Sequence, residues 1–430
     1  MRYFLLLITL GQIIMAATIQ HIEVDGIKVP VIFEKDTRLP LVTMQFVFTN
    51  SGTITDTTKA GLAKFSAKLM NEGSKKLGSS AFADSLESRA IHIASSTGAE
   101  TFVMEVGCLK EEFSYGLTKL KELLGDPNYS QESIQKIKTM TLGSLSRKEN
   151  DFDYIAGNEL KSILFEGSVL AQPSLGTKES VASIELEDVQ GFISSHLSIQ
   201  NLIVVIGGDV TLKNVKKQIA EVIATLPQGK AVKLHHYDVR KTPQEKILYK
   251  ETQQAYIYFG SPYKIAVDSP EYYKARVATF ILGTGGFGSR LMEEIRVKRG
   301  LAYSAYARVH VSKSSSYMSG YLQTKLDSLD EAQKTVQDVI AKFTKKGVTQ
   351  EELEQTKRFL LGSEPLRVET MSQRLNRTFM EYYKGFALGH TTQELEKIKN
   401  LKLKDLNKFI KAHTEINELS FAIVTEKTKK

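Results

Sequence analysis

The sequence predicts an α+β protein built from two copies of one unit. Three observations carry this. First, residues 130–144 (SQESIQKIKTMTLGS) and 349–363 (TQEELEQTKRFLLGS) align without gaps at an offset of 219 residues, about half the chain. Second, strand-like alternation, a helix, further strands and a helix pair surround each copy in the same order. Clustered strands between helix pairs place helices on a sheet. Third, the composition is 42% hydrophobic and 25% charged. That excludes disordered and fibrous chains. A length of 430 residues suits about two to three domains.

The chain opens MRYFLLLITLGQIIMAA. Arg2, an apolar stretch and two small residues give a secretory leader over 1–17, with an uncleaved anchor as the alternative. No later stretch is long and apolar enough to cross a bilayer. Residues 41–49 (LVTMQFVFT) alternate as a strand, 60–71 form a helix, and 101–108 (TFVMEVGC) return as a strand. Residues 113–124 and the first repeated segment form the helix pair. Ser130 with the following Gln-Glu marks the start of its second helix. An apolar strand at 201–207 closes the half. Residues 226–233 (LPQGKAVK) hold Pro and Gly without a clear period and form the linker.

The second half repeats the plan. Strands fall at 254–260 and 317–324, helices at 271–282, 329–343 and 349–363, and a closing strand at 419–425. The domains therefore run 18–229 and 234–430, each of ordinary size. Each is expected to hold a mixed or antiparallel sheet with helices packed on it.

Lys+Arg number 57 and Asp+Glu 49, a net charge of +8 spread along the chain. No dense basic patch calls for nucleic acid. A single cysteine, Cys108, excludes an intrachain disulfide and a Cys-rich zinc site. It lies in an apolar strand pattern and reads as a packed thiol. No G-x-S-x-G elbow is present. Of the eight histidines, none has a second His four residues on, and His235-His236 lies by the linker. His92 and His196 read as ordinary core or surface residues.

Gly283, Gly285 and Gly288 match G-x-G-x-x-G. The segment before them reads as a helix, not the strand that a dinucleotide site needs, so the loop is a backbone turn. Ser289 then caps a short helix that stops near Arg299-Gly300, and an aromatic strand follows.

The stretch GGFGSRLMEEIRVKRGLAYSAYA resembles the second-domain signature of the pitrilysin/insulinase family of zinc peptidases, which includes mitochondrial processing peptidases and short bacterial relatives. The duplicated halves fit the family's fold over nearly the whole mature chain. The resemblance implies that Arg296 and Tyr303, seven positions apart, bind the substrate carbonyl and stabilise a developing oxyanion.

It also implies a metal helix in the first half, carrying an inverted H-x-x-E-H. Residues 61–73 (GLAKFSAKLMNEG) match its surroundings, but Lys64 and Lys68 hold the two His positions and Ala67 the Glu position. The third ligand position falls at Ser144, by the Asn150-Asp151-Phe152-Asp153 landmark. Positions 64, 67 and 68 share one helix face. Two ammonium groups and a methyl there predict no catalytic zinc in this chain, since a protonated lysine has no lone pair to donate. Lys64 as a general base needs burial; a solvated lysine is the default.

Half a site is thus expected: the Arg296/Tyr303 clamp without the metal. Short members of the family pair two chains into a chamber, first domain facing the partner's second. The expected role is the non-metal subunit of a heterodimeric zinc peptidase, inactive alone, exported to a bacterial periplasm. The homologous partner brings H-x-x-E-H and the zinc, and the substrate is an unfolded peptide. The alternative is a catalytically inactive peptide-binding or scaffolding homodimer. A self-sufficient peptidase fits least.

Overall fold

The strand patterns resolve into two sheets in a computed structural model that describes residues 17–427. The leader expected over 1–17 lies, apart from Ala17, outside the described residues. The first sheet holds β1 (Thr18–Val24), β2 (Ile27–Lys35), β3 (Leu41–Thr49), β4 (His92–Thr97), β5 (Thr101–Leu109) and β6 (Leu202–Gly208), in the order β1-β2-β6-β3-β5-β4. The second holds β7 (Glu245–Tyr249), β8 (Gln254–Pro262), β9 (Ala302–Val311), β10 (Ser316–Lys325) and β11 (Ser420–Thr425), in the order β7-β11-β8-β10-β9.

The sheets share one plan, with β1 an extra edge strand. The last strand of each half enters the middle of its sheet. β6 runs parallel to β2 and antiparallel to β3; β11 runs parallel to β7 and antiparallel to β8. This explains their unbroken apolar sequences. Every residue of β6 and β11 is buried, as a strand covered on both faces requires.

The helices that matter below are α1 (Leu62–Met70), α2 (Phe113–Gly125), α3 (Gln131–Lys148), α4 (Phe152–Leu164), α5 (Tyr272–Thr279), α6 (Leu329–Lys346), α7 (Gln350–Gly362) and α8 (Met371–Lys384). The repeated segments are α3 and α7. Ser130 caps the first through the Ser133 N–H. Thr349 and Glu352 form a reciprocal capping box on the second. The expected helix over 271–282 ends earlier: α5 stops at Thr279 and Phe280–Thr284 widens into a π turn.

The repeat extends further than the matching sequence. Phe152 and Met371, which open α4 and α8, lie at the same offset of 219 residues. Each of these helices crosses to the other half. Leu160, Ile163 and Leu164 of α4 pack with Ala422 of β11. Leu375 of α8 packs against Ile32, Val47, Ile203 and Val205 of the first sheet. The sheets meet these helices at glycines. A Cβ at Gly207 would lie 2.7 Å from Leu375 Cδ1, and one at Gly260 would lie 2.8 Å from Leu164 Cδ1.

Ion pairs lock both crossings. Arg374 of α8 reaches buried Glu34 at 2.5 Å and Asp36 at 3.0 Å. Glu159 of α4 meets Lys246 of β7 at 2.6 Å. The linker is pinned as well. The Val232 N–H donates to Asn201 Oδ1 at 3.1 Å, and Asn50 Nδ2 donates to the Val232 carbonyl at 2.5 Å. Among the described residues no helix is long and apolar enough to cross a membrane.

Candidate functional site

Two features were expected to carry chemistry: the α1 face and the segment from the glycine loop to β9. α1 is fixed at its start by Asp56, whose carboxylate accepts from the Gly61 and Ala63 N–H groups at 3.1 and 2.8 Å. Seven of its nine residues are buried, and the two that are not are Lys64 and Lys68. Lys64 Nζ donates to Ser174 Oγ at 3.0 Å. Lys68 Nζ donates to Thr141 Oγ1 on α3 at 2.9 Å. Ser144 stands one turn beyond Thr141 on α3, half-buried. Ala67 is buried between the lysines.

These groups do not fit zinc. The face offers two ammonium groups, a methyl and hydroxyls in place of imidazoles and a carboxylate. Among the described residues no group of three His, Cys, Asp or Glu is placed to hold a metal ion. Burial holds both lysines below the ordinary lysine pKa; for Lys64 the neighbouring Lys161 and Lys68 add to it. Lys161 on α4 is lowered by burial too. Its side chain reaches water but stands in a concavity walled by protein, which hydrates a charge poorly.

In the second half, Gly283 brings the π turn against β9: a Cβ there would lie 2.3 Å from the Ala307 backbone nitrogen. Ser289 occupies the N-cap position, yet its buried hydroxyl makes no capping bond, contrary to expectation. The helix runs only Arg290–Met292 before a second π turn, Glu293–Val297, carries Arg296. Gly300 adopts φ of +62° and ends it.

β9 then begins with an irregularity. Leu322 pairs with Ala305 and Thr324 with Ala302, so β9 holds one more residue than β10 between these pairs. Ala302 and Ala305 are both buried, and Tyr303 and Ser304 bulge outward between them. Without the bulge Tyr303 would share the core face with Ala305 and Ala307. With it Tyr303 is 81% exposed. Arg296 lies between two exposed rings, its Cζ 4.1 Å from the centre of Tyr303 and 4.6 Å from that of Phe287. Its Nη1 also donates to the Tyr303 carbonyl at 2.9 Å. The guanidinium and the phenol therefore form one exposed unit.

The structure brings Arg296 and Tyr303 together, and groups Lys64 with Lys68. It does not join the two pairs by any hydrogen bond or ion pair among the described residues. Beyond Tyr303, β9 continues through Tyr306 and Arg308 to His310. Lys161 and Arg308 both depress the His310 pKa, and burial depresses it most, to about 4. The Arg296/Tyr303 pair and Lys161 thus stand toward opposite ends of β9, and seven residues of strand span about 23 Å. Sequence reasoning missed Lys161, Arg308 and His310, since nothing in their local patterns reveals that α4 crosses to the second sheet.

The remaining candidates are structural. Cys108 is buried and its thiol pKa is raised to about 11 by that burial. His196 stacks on Phe192, and its Nδ1 lies 2.9 Å from the Phe192 carbonyl.

Fold and site together define a duplicated peptidase-type scaffold whose α1 presents two lysines and no metal-binding side chain on its outward face. Two family models match it: insulinase (peptidase family M16) over residues 31–178 and the peptidase M16 inactive domain over 183–360. A Helicobacter pylori protein named a non-peptidase homolog, YmxG, is 43% identical over 431 residues, covering 100% of both chains. A Bacillus subtilis protein named an uncharacterized zinc protease is 24% identical, covering 74% of this chain and 76% of that one. The crystal structure of a peptidase M16 inactive domain from Pseudomonas fluorescens superposes with a TM-score of 0.88 at 22% identity, covering 96% of this chain and 99% of that one. The chain belongs to the insulinase family of peptidases, M16.

Proposed function

We propose that this protein is the non-metal subunit of a heterodimeric zinc peptidase that cleaves unfolded peptides. The homologous partner would hold H-x-x-E-H and the zinc. This chain would add Arg296 and Tyr303, two donors aimed at the substrate carbonyl as negative charge develops on its oxygen. The observation that carries the reading is the bulge at the start of β9. It turns Tyr303 out to 81% exposure beside a guanidinium, in a chain whose own metal face holds two lysines. An aromatic ring exposed in this way packs against the Arg296 guanidinium alone, so a contact outside the chain is the fitting use for its free face. Kinship with a non-peptidase homolog supports a subunit that is inactive alone. Export to a bacterial periplasm, directed by the 1–17 leader, belongs to the same reading.

The test is reconstitution. The purified chain is mixed with a homologous H-x-x-E-H subunit encoded in the same genome, and cleavage of an unstructured fluorogenic peptide is followed. The mixture should cleave and the chain alone should not. Arg296→Ala and Tyr303→Phe should each lower kcat by about 10²–10³, the usual cost of losing one oxyanion donor. Unchanged rates in both variants would defeat the reading. A stable homodimer that ignores the partner and binds peptide would establish the scaffolding alternative instead.

A further inference from the structure

Lys64, at a position that the family resemblance gives to a metal ligand, borders a cleft lined by Lys161. A cavity of about 230 Å³ opens between the halves, bordered by Asp56 and Gly61 at the start of α1, by Lys161 and Phe165, and by His310 with Ser314 across the gap. Lys64 reaches its wall through Ser174, a lining residue. Lys64, Lys68 and Lys161 form no ion pair among the described residues. Lys64 and Lys68 meet only hydroxyls, which neutralise no charge. Arg308 adds a further cation near His310, exposed and stacked on Tyr306 at 4.9 Å. The one carboxylate on the wall, Asp56, accepts from two backbone N–H groups and offsets part of the Lys64 charge.

Lys64 is repelled by Lys161 and Lys68, partial burial magnifies the cost, and Asp56 is the one carboxylate that offsets part of it. Such an arrangement is relieved by an anion that enters from outside. We propose that this cleft is a carboxylate-binding subsite, formed by Lys64 and Lys161 with Lys68 behind them, that holds the acidic side chains of an extended peptide. Hydroxyls of Ser174 and Ser314 border the same space, suiting a ligand with several acceptor oxygens. The inference rests on the proposed function for its peptide ligand, but it requires neither the partner nor the Arg296/Tyr303 pair. The metal face has then changed its use: a site for a cation has become a site for an anion.

The test uses the whole chain alone and three fluorescein-labelled, C-terminally amidated decapeptides of equal length: Glu-rich, uncharged and Lys-rich. A fourth, uncharged peptide with a free C-terminus separates a terminal carboxylate from side chains. Fluorescence anisotropy should show the Glu-rich peptide binding at least about tenfold more tightly than the uncharged amide, the scale of one charged hydrogen bond. The preference should fall as salt rises. Lys64→Gln and Lys161→Gln should each remove most of it without lowering the melting temperature, and Lys161→Arg should keep it. Equal binding of Glu-rich and uncharged amides, or a preference untouched in both Gln variants, would overturn the proposal. Tightest binding by the free C-terminus would overturn the side-chain assignment. So would a phosphate Kd below that of the Glu-rich peptide, which marks a small-oxyanion site. Failure here with successful reconstitution refutes the cleft alone; failed reconstitution with intact acidic binding refutes the subunit reading alone.

Discussion

The α1 face and the segment from Gly283 to β9 have fared differently in the same chain. In α1 the backbone is regular: Asp56 anchors the helix start, the apolar sides are buried, and the outward face carries two lysines. In the second segment, local irregularity is kept at some cost. It has two π turns, three glycines at positive φ and a strand bulge, and together they display Arg296 and Tyr303. A helix surface can lose its chemistry by side-chain substitution alone, because neither backbone nor core depends on it. A display built from backbone irregularities depends on the backbone path as well as on the side chains it presents.

The sharpest way to break this comparison is to reverse the first half of it. If α1 and α3 keep the frame of a metal site, side chains alone should restore one. The variant Lys64→His/Ala67→Glu/Lys68→His/Ser144→Glu should retain about one equivalent of zinc after dialysis, by inductively coupled plasma mass spectrometry, where the parent chain retains essentially none. A folded variant that retains no zinc would mean that α1 and α3 have moved as well as changed. It would also move the third ligand position away from Ser144.

The second half can be probed through the backbone. Gly283→Ala places a methyl 2.3 Å from the Ala307 nitrogen, where no flexible side chain can yield. Overpacking of this kind costs about 1–3 kcal/mol. The melting temperature should drop by several degrees, and in the reconstituted enzyme the rate should fall with it as β9 shifts under Tyr303. A stable variant of unaltered rate would show that the loop does not position the clamp.

How much of this was legible in the sequence follows from what each residue answers to. The repeat, the strands at 41–49 and 101–108 and the helix pairs were readable because local periodicity and capping residues set them. β2 was not, since Pro30 interrupts its pattern; it pairs with β1 near the sheet edge, where a missing N–H is tolerated. β4 (HIASST) and β7 (EKILY) are edge strands with polar or exposed residues and carry no alternation strong enough to see. The clamp residues were found through the family signature, but the bulge that exposes Tyr303 was invisible: pairing register with β10 is a tertiary fact. The basic cleft was hidden for the same reason. Lys161 and His310 come to one cavity only because α4 crosses to the second sheet.

The smallest predicted effect is a matter of slope, and it tests whether the frame of α1 is as buried as its contacts imply. Burial raises the Asp56 carboxyl from its ordinary value to about 7, while the two N–H donors and Lys64 work against that rise. Between about pH 4 and 7 the folded chain therefore holds a proton that the unfolded chain has lost. Stability must fall as pH rises through that window, and level off above it. His310 acts in the opposite sense, because its folded pKa of about 4 lies below the unfolded one. Its contribution grows as pH rises to about a unit above 6.5, and His196, lowered by burial, acts in the same sense. These contributions are common to the parent chain and an Asp56 variant, so the difference between the two curves reports Asp56. Asp56→Asn will be less stable throughout, since its amide turns an NH₂ toward one of the two N–H donors. Its decline in melting temperature between about pH 6.5 and 7.5 should nevertheless be shallower than that of the parent chain, by a difference on the order of 1 kcal/mol or a few degrees. Parallel curves would mean that water reaches the carboxylate and that the helix start is looser than its hydrogen bonds imply.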